Sequence, residues 1–428
     1  MLIWRPRSRS ISRVAVIQPA ASSSCSTPPT PAPMTTSLLR HLLVFTGALV
    51  LGLQLSQPSF GQDTKPPFPA SNHPAAFDEL LLQFAQRQHR GSLLVPPLLY
   101  RDSAYAGTNP RQLRLQFTVR LAEQPLPLRC QAMSLKNPFG GAALPLSYSV
   151  VYRHCLVVLF SPGKFACYRL TDLSRDEPLE QQLNADQRFE QHATLNQQLV
   201  GWRNHQAYAY DTTHRAWHPL AQPLPFHEQD KLFEDERVVC SMSCMGEFGG
   251  RVRFYDKQTH RTHYVNATCG TSVWKQDGQY RLLASLAHMT GSARSAIIPA
   301  PEALPSATTP RAAIQDWQYA ADSSVSNPAA QRVFGFHGLT MLGGMRWQNQ
   351  TLYVVSWRGA TFLATVAGEQ ITIVHPLFNS SLGHTGQTTG YGTDLSITSL
   401  LGYKGRHERE VTCLLTNGKQ VTKIAWGR

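Results

Sequence analysis

The stretch "QLVGWRNHQAYAYDTTHRAWHPL" (198–220) contains three short segments in which apolar and polar residues alternate, separated by two turn signals. The first turn falls at Arg203-Asn204-His205 and the second spans Asp211–His214. Alternation with a period of two residues indicates β-strands, and Asn and Asp favour the tight turns between them. The stretch therefore predicts three strands joined by hairpins.

The same pattern returns along the chain, in "FGGRVRFYDKQTHRTHYV" (248–265) and "WQNQTLYVVSWRGATFLAT" (347–365). Further hairpin turns are predicted at Ser161–Lys164, at Gln276-Asp277-Gly278 and at Asn417-Gly418. Four-stranded units that recur every roughly 40 to 50 residues are typical of a β-propeller. The prediction is an all-β fold, a β-propeller of about seven or eight four-stranded blades. Another many-stranded all-β fold, such as two sandwiches, is the alternative.

Two of these hairpins carry a family resemblance. Tyr210-Asp211-x-Thr213 and Tyr255-Asp256-x-x-Thr259 resemble the outer hairpins of the quinoprotein-like and YncE-like β-propeller superfamily, whose turns read Y/A-x-D-x-x-T-G. The resemblance covers two blades, and the others follow from the period alone. The glycine after Thr is replaced by His214 and His260, and the repeated blade tryptophan is absent. The resemblance therefore implies no quinone or other cofactor.

The first 61 residues differ from the rest, because they contain no acidic residue and five arginines. Residues 1–33 include a Ser/Thr/Pro-rich part and predict a disordered or spurious N-terminal extension. Residues 34–61 match a secretory signal peptide: Arg40 and His41 precede the apolar run Leu42–Leu55, and small residues follow at 59 and 61. Fourteen apolar residues are too few to cross a bilayer, although an anchored helix is the alternative.

These features predict a secreted or periplasmic bacterial protein with no membrane span after signal cleavage. A linker at 62–74 precedes the propeller domain, 75–428. The spacing of apolar residues in Ala75–Gln88 predicts one short amphipathic helix at the start of that domain, and 176–199 is expected to hold either a helix or a long polar loop.

The charge balance argues against one class of partner. The formal net charge is +13, and it falls to +8 without the five arginines of the first 61 residues. The remaining chain has no Lys/Arg-rich run and no nucleic-acid-binding motif. Nucleic acid is therefore not an expected partner.

The number and spacing of the cysteines predict a disulfide bond. Besides Cys25 there are seven cysteines, an odd number, so at least one is expected to remain unpaired within the chain. Cys240, Cys244 and Cys269, with His260 and His263 between the last two, have a spacing that loosely fits zinc. On a strand, however, residues four apart lie about 13 Å from each other. The prediction is no metal, and a disulfide from Cys269 to Cys240 or Cys244.

No catalytic motif is present: there is no G-x-S-x-G, H-E-x-x-H or Walker sequence. Three loops rich in small residues each contain a histidine, His288, His337 and His384. If three blades bring them to one mouth of the channel, they are candidates for ligand binding or proton transfer. Chance placement of 16 histidines is the alternative.

These observations favour an exported binding or interaction module without catalysis, whose partner is an unknown protein or saccharide. The alternative is a secreted propeller hydrolase or lyase that acts on carbohydrate or peptide at the channel mouth. An enzyme is expected to cluster two or more titratable groups in a pocket, which distinguishes the two possibilities.

Overall fold

Antiparallel strands account for nearly all regular structure in the described part of the chain. The computed structural model describes residues 117–185, 187–226, 230–287, 291–306, 329–357, 360–378, 382, 386–392, 394–404 and 407–427. The strands are β1 (Thr118–Leu121), β2 (Arg129–Leu135), β3 (Val150–Tyr152), β4 (Cys155–Phe160), β5 (Lys164–Arg169), β6 (Gln191–Leu195), β7 (Gln198–Arg203), β8 (Gln206–Asp211), β9 (Ala216–Pro219), β10 (Lys231–Glu234), β11 (Val238–Cys244), β12 (Gly250–Asp256), β13 (Thr262–Asn266), β14 (Gly270–Gln276), β15 (Gln279–Leu286), β16 (Ser292–Ile298), β17 (Gln331–His337), β18 (Thr340–Trp347), β19 (Gln350–Trp357), β20 (Ala360–Ala367), β21 (Gln370–Phe378), β22 (Gly386–Gly390), β23 (Leu395–Lys404), β24 (His407–Asn417) and β25 (Gln420–Trp426). The helix is α1 (Glu177–Leu183), and short 3-10 turns lie at Gly246–Phe248 and Pro301–Ala303.

Consecutive strands pair into six antiparallel meanders: β3–β5, β6–β9, β10–β13, β14–β17, β18–β21 and β22–β25. Hydrogen bonding joins the described strands into five sheets, and four of these contain at least four strands. The fifth has three strands, and the largest holds two meanders joined between β14 and β22. The prediction of seven or eight four-stranded blades is therefore wrong.

The predicted count was too high because it assumed a constant period. One meander takes a long stretch of chain, since β16 ends at Ile298 and β17 begins only at Gln331. In addition, β1 and β2 do not start a blade of their own. They pair in parallel with β21 and β25, at the outer edges of the last two meanders.

The first strands of four meanders, β10, β14, β18 and β22, contact one another, so the meanders are arranged around a common axis as in a β-propeller. Glycines on β18 permit this close approach. A Cβ on Gly343 would collide with Thr388 Oγ1, and a Cβ on Gly344 would lie 2.8 Å from the Trp274 ring. Gly344 N also donates to Ser272 Oγ at 2.8 Å. Three inner strands therefore pack directly against each other near the axis.

The local structure follows the sequence signals closely. Asn204 and His205 form the β7–β8 turn with φ of +49° and +62°, as a two-residue hairpin requires. The predicted turns at Ser161–Lys164, Gln276-Asp277-Gly278 and Asn417-Gly418 also separate paired strands, and are confirmed. The stretch 176–199 contains both a helix, α1, and the strand β6.

Several predictions concern residues that the structure does not describe. The extension at 1–33, the signal peptide at 34–61, the linker at 62–74 and the helix at Ala75–Gln88 all lie outside the described residues. Among the residues that are described, no helix is long and apolar enough to cross a membrane.

Candidate functional site

A cleft of about 590 Å³ opens between the β4–β5 turn, the beginning of β6, the end of β7 and the beginning of β24. We call it the arginine cleft. Its lining residues are Leu146, Ser161, Pro162, Gly163, Arg188, Phe189, Glu190, Gln191, Arg203 and Arg409. A volume of this size is typical of small-ligand sites.

Three guanidinium groups dominate the electrostatics of the arginine cleft. Arg188 and Arg203 are exposed, and Arg409 is half-buried. Glu190 is the one carboxylate among the lining residues, so the cleft carries an excess of positive charge. Guanidinium groups favour carboxylates and phosphates, because their planar N–H donors match two acceptor oxygens at once.

Hydrogen bonds to backbone and side-chain oxygens hold these arginines in place. Arg409 Nη1 donates to Leu146 O at 2.9 Å, and Arg188 Nη1 donates to Gln187 O at 2.7 Å. Arg203 Nη1 donates to the side-chain oxygen of Gln187. Each guanidinium has five N–H donors, so further donors remain for a ligand.

The wall of the cleft is rigid backbone. Gly163 has φ of +85°, and a Cβ there would lie 2.7 Å from Phe189 O, so only glycine fits between the β4–β5 turn and the segment before β6. Phe189 N donates to Gly163 O at 3.1 Å and fixes this approach. Beside it, the buried Oε1 of Gln191 has no hydrogen-bond partner among the described residues. The rigid part of the wall is therefore the close contact between Gly163 and Phe189.

Of the three histidines proposed from the sequence, His337 lies among the described residues. His337 ends β17, is half-buried and pairs with Ser292 of β16. It does not line the arginine cleft. His288 and His384 lie outside the described residues, so the convergence of the three histidines remains a prediction.

The predicted disulfide is confirmed, with Cys244 as the partner of Cys269. Cys244 ends β11, and Cys269 directly precedes β14. Cys240 is a buried thiol instead, four residues earlier on β11. It faces the core with Phe254 and Val252, in agreement with the argument that residues four apart on a strand do not meet.

One buried pair has the composition of a nucleophile and its base. Cys130 Sγ lies 3.1 Å from His375 Nε2, and His375 Nδ1 lies 3.1 Å from Leu126 O. Burial raises the pKa of Cys130 to about 12 and lowers the pKa of His375 to about 4. Both groups are thus neutral and enclosed near neutral pH, which suits a core hydrogen bond and not an activated thiolate.

His192 has a similar structural role next to the arginine cleft. Its Nδ1 lies 2.6 Å from Ser147 Oγ and its Nε2 lies 3.1 Å from Val157 O. Burial lowers its pKa to about 4, although the carbonyl contact opposes this shift. The ring is neutral at physiological pH and joins β6 to β4.

Comparisons with known proteins identify no family for this chain. No family model matches the chain, and no curated protein matches its sequence. Among solved structures, the chain is similar to YjhT, with 9% identity over 67% of this chain and 98% of that chain, at a TM-score of 0.38. It is also similar to BamB from Moraxella catarrhalis, with 9% identity over 61% of this chain and 71% of that one, at a TM-score of 0.31. Both are β-propeller proteins, and scores this low carry no conclusion about ligand or activity.

Proposed function

We propose that this protein is an exported β-propeller binding module that holds a carboxylate-bearing ligand in the arginine cleft. The observation that carries the proposal is the convergence of Arg188, Arg203 and Arg409 around one cleft with a single opposing carboxylate. The ligand is an acidic saccharide or an acidic segment of a partner protein. Membership of the quinoprotein-like and YncE-like superfamily is part of the same proposal.

The composition of the cleft favours binding over catalysis. A hydrolase or lyase needs an acid and a base, or a nucleophile and a base, within reach of one substrate. Among the lining residues, Glu190 is the one carboxylate, Ser161 supplies a hydroxyl, and no histidine, cysteine or lysine is present to act as a second acid or base. The described Cys–His pair, Cys130 and His375, is enclosed in the core, where a substrate cannot reach it.

Two observations support export. The pattern of residues 34–61 is that of a signal peptide, and Cys244–Cys269 is a bond of the kind that persists in oxidising compartments. N-terminal sequencing of the protein recovered from its native host tests this part of the proposal. We expect the mature chain to begin at or near Gln62, and a mature N-terminus upstream of Met34 would contradict it.

Calorimetric titration tests the ligand class. We expect the protein to bind a uronic-acid trisaccharide or a hexaglutamate peptide, and not the matching neutral trisaccharide. Because the attraction is between charges, affinity is expected to fall as salt rises from 50 to 500 mM. Whichever acidic probe binds identifies the ligand as saccharide or protein.

Variants locate the site. Arg203→Gln and Arg409→Gln each remove a charge-assisted hydrogen bond, so we expect affinity to fall at least about 10-fold. Arg129→Gln is the matched control, since Arg129 is an exposed arginine on β2 that does not line the cleft. Equal affinity in all three variants, or no binding of either acidic probe, would contradict the proposal. Shortening of the saccharide during the titration would support the hydrolase or lyase.

A further inference from the structure

The turn between β8 and β9 gathers three metal-ligating side chains. Asp211, His214 and His218 each place one ligand atom within 4.8 Å of the other two. Asp211 Oδ2 lies 2.6 Å from His214 Nδ1 and 3.9 Å from His218 Nε2. We call these residues the Asp–His–His turn.

The backbone fixes the position of the carboxylate in this turn. Asp211 Oδ1 accepts hydrogen bonds from Thr213 N at 2.7 Å and from His214 N at 3.2 Å. The other carboxylate oxygen, Oδ2, therefore points toward the two imidazoles. Asp211 pairs with Ala216 across the hairpin, so His218 is its diagonal neighbour on the same face of the sheet.

Buried neighbours hold both strands of this hairpin. Tyr210 and Trp217 are buried and pair with each other across it. Trp217 Nε1 donates to Leu183 O at 3.0 Å, and its ring stacks on Phe165 at 5.6 Å. Because strand residues alternate in direction, the burial of Tyr210 and Trp217 directs Asp211 and His218 outward. The packing of Tyr210 and Trp217 in the core thus determines that Asp211 and His218 lie together on the outer face of the hairpin.

We propose that the Asp–His–His turn binds a divalent transition metal ion of the zinc type, with water completing the coordination. Two imidazole nitrogens and one carboxylate oxygen are a ligand set that zinc uses, at about 2.0 to 2.2 Å from each atom. In a tetrahedral site, such ligand atoms lie about 3.3 Å apart, and small rotamer changes of two exposed histidines meet this requirement. The site is separate from the arginine cleft, and the inference does not depend on the proposed function.

The protonation state of the carboxylate agrees with this role. The hydrogen bond from the His214 side chain, together with backbone N–H donors, lowers the pKa of Asp211 to about 2. The carboxylate is thus ionised near neutral pH.

The next meander provides a matched control. In the β12–β13 turn, Asp256 accepts from Gln258 N at 2.9 Å and from Thr259 N at 2.7 Å, as Asp211 does from the equivalent residues. Thr259 therefore occupies the position of His214, and His263 that of His218. His263 Nδ1 lies 3.0 Å from Leu304 O. The described residues do not form a three-ligand cluster at this second turn.

The test is calorimetric titration of the untagged mature protein with zinc chloride. We expect one equivalent to bind in the wild type. His214→Gln, His218→Gln and Asp211→Asn are each expected to weaken binding at least about 10-fold, because even residues that only support a metal ligand contribute 10- to 100-fold. His263→Gln is expected to leave both stoichiometry and affinity unchanged.

A second measurement separates a defined site from loose adsorption. Cobalt(II) bound by nitrogen and oxygen ligands in tetrahedral geometry absorbs strongly in the visible range, and we expect this band in the wild type and its loss in His218→Gln. Urea denaturation checks that the variants are folded, which their exposed positions favour. Absence of zinc binding, or binding that survives both histidine substitutions or is lost in His263→Gln, would overturn the proposal.

Discussion

The β8–β9 and β12–β13 hairpins have almost the same turn and very different surroundings. Each begins with an aspartate that accepts two backbone N–H groups, and each places its fifth residue in the left-handed region: Arg215 at φ +52° and His260 at φ +56°. Counted from the aspartate, His260 corresponds to Arg215 and not to His214. The two histidines that appear equivalent after threonine in the sequence thus have different positions in the two turns.

The second hairpin is tied to its neighbours by its polar side chains. Lys257 Nζ donates to Glu234 Oε1 at 2.6 Å, and Asp256 Oδ2 lies 3.6 Å from Arg237 Nε. The hairpin also lies inside the loop that Cys244 and Cys269 close. In the first hairpin, the apolar side chains anchor the strands and the polar ones face outward. A few local residues thus determine the turn, whereas distant residues determine what the side chains of the turn contact.

The largest effect on stability is expected from removing the ion pairs of the second hairpin. Glu234 bridges Lys257 and the buried Lys231, whose Nζ lies 2.6 Å from Glu234 Oε2. Glu234→Ala leaves Lys231 buried without a counter-charge, so we expect a loss of about 3 to 5 kcal/mol in the free energy of unfolding by urea. Thr212→Ala, at the equivalent of Lys257 in the first hairpin, is expected to change stability by less than about 0.5 kcal/mol.

The double variant Glu234→Ala, Lys231→Met checks the mechanism, because removing both charges should recover most of the loss. The pH dependence is a further check. Burial raises the pKa of Glu234, but Lys231 and the hydrogen bonds from both lysines outweigh burial and lower it below its ordinary value of 4.5. The stabilisation is therefore complete above about pH 4.5 and is lost as pH falls below it, and the variant should lack this loss.

A second, smaller effect is expected from the disulfide. It closes a loop of 25 residues around the second hairpin, so its removal in Cys244→Ser, Cys269→Ser should cost about 3 kcal/mol of stability. The Asp–His–His turn lies outside this loop, so zinc affinity is expected to be unchanged. Equal stability of the oxidised and double-serine proteins in urea would show that the disulfide does not constrain the unfolded chain.

Acid is expected to lower the free energy of unfolding through a histidine in the meander that contains the first hairpin. His192 on β6 is neutral in the fold, with its pKa lowered to about 4 by burial, whereas an unfolded histidine protonates near 6.5. The stabilisation is complete above pH 6.5 and decreases as pH falls toward 4. Between pH 6.5 and 5 we expect a loss of about 2 kcal/mol, measured by urea denaturation. His192→Gln should remove its share of this slope, while His375, whose pKa burial also lowers to about 4, continues to contribute. An unchanged slope would exclude His192 as a source.

The smallest expected effect is the most direct test of the comparison. Thr259→His gives the second turn the same three residue types as the first. We expect no second equivalent of zinc in calorimetry, because Asp256 is engaged by Arg237 and His263 by Leu304 O. A second equivalent would show that the hairpin sequence alone makes the site.

Sequence patterns predicted the features that depend on neighbouring residues. Alternation and turn residues gave the hairpins, such as Asn417-Gly418, because strand direction and turn geometry depend on spacings of one to four residues. The sequence predicted a disulfide from Cys269 to either Cys240 or Cys244. Strand geometry could not choose between Cys240 and Cys244, since the choice depends on which of them lies at the end of β11 beside Cys269.

The features that sequence patterns missed depend on packing between meanders. Arg188 and Arg203 flank the β6–β7 hairpin, whereas Arg409 lies on β24, and only packing between meanders brings it to the same cleft. The same holds for the number of blades, because β1 pairs with β21 and β2 with β25 across most of the chain. Single-sequence periodicity contains no information about such distant partners.

The parallel pairing of β2 with β25 has a consequence for biosynthesis. Arg129 pairs with Gln420 and Leu135 with Trp426, so β2 leaves the ribosome, or an export channel, long before its partner exists. During that interval the unpaired backbone edge of β2 is open to incorrect pairing, and contacts this distant along the chain form slowly. Mispairing of β2 before β25 is available therefore competes with native folding. The yield of native protein is set in this waiting period as well as by the contacts of the finished fold.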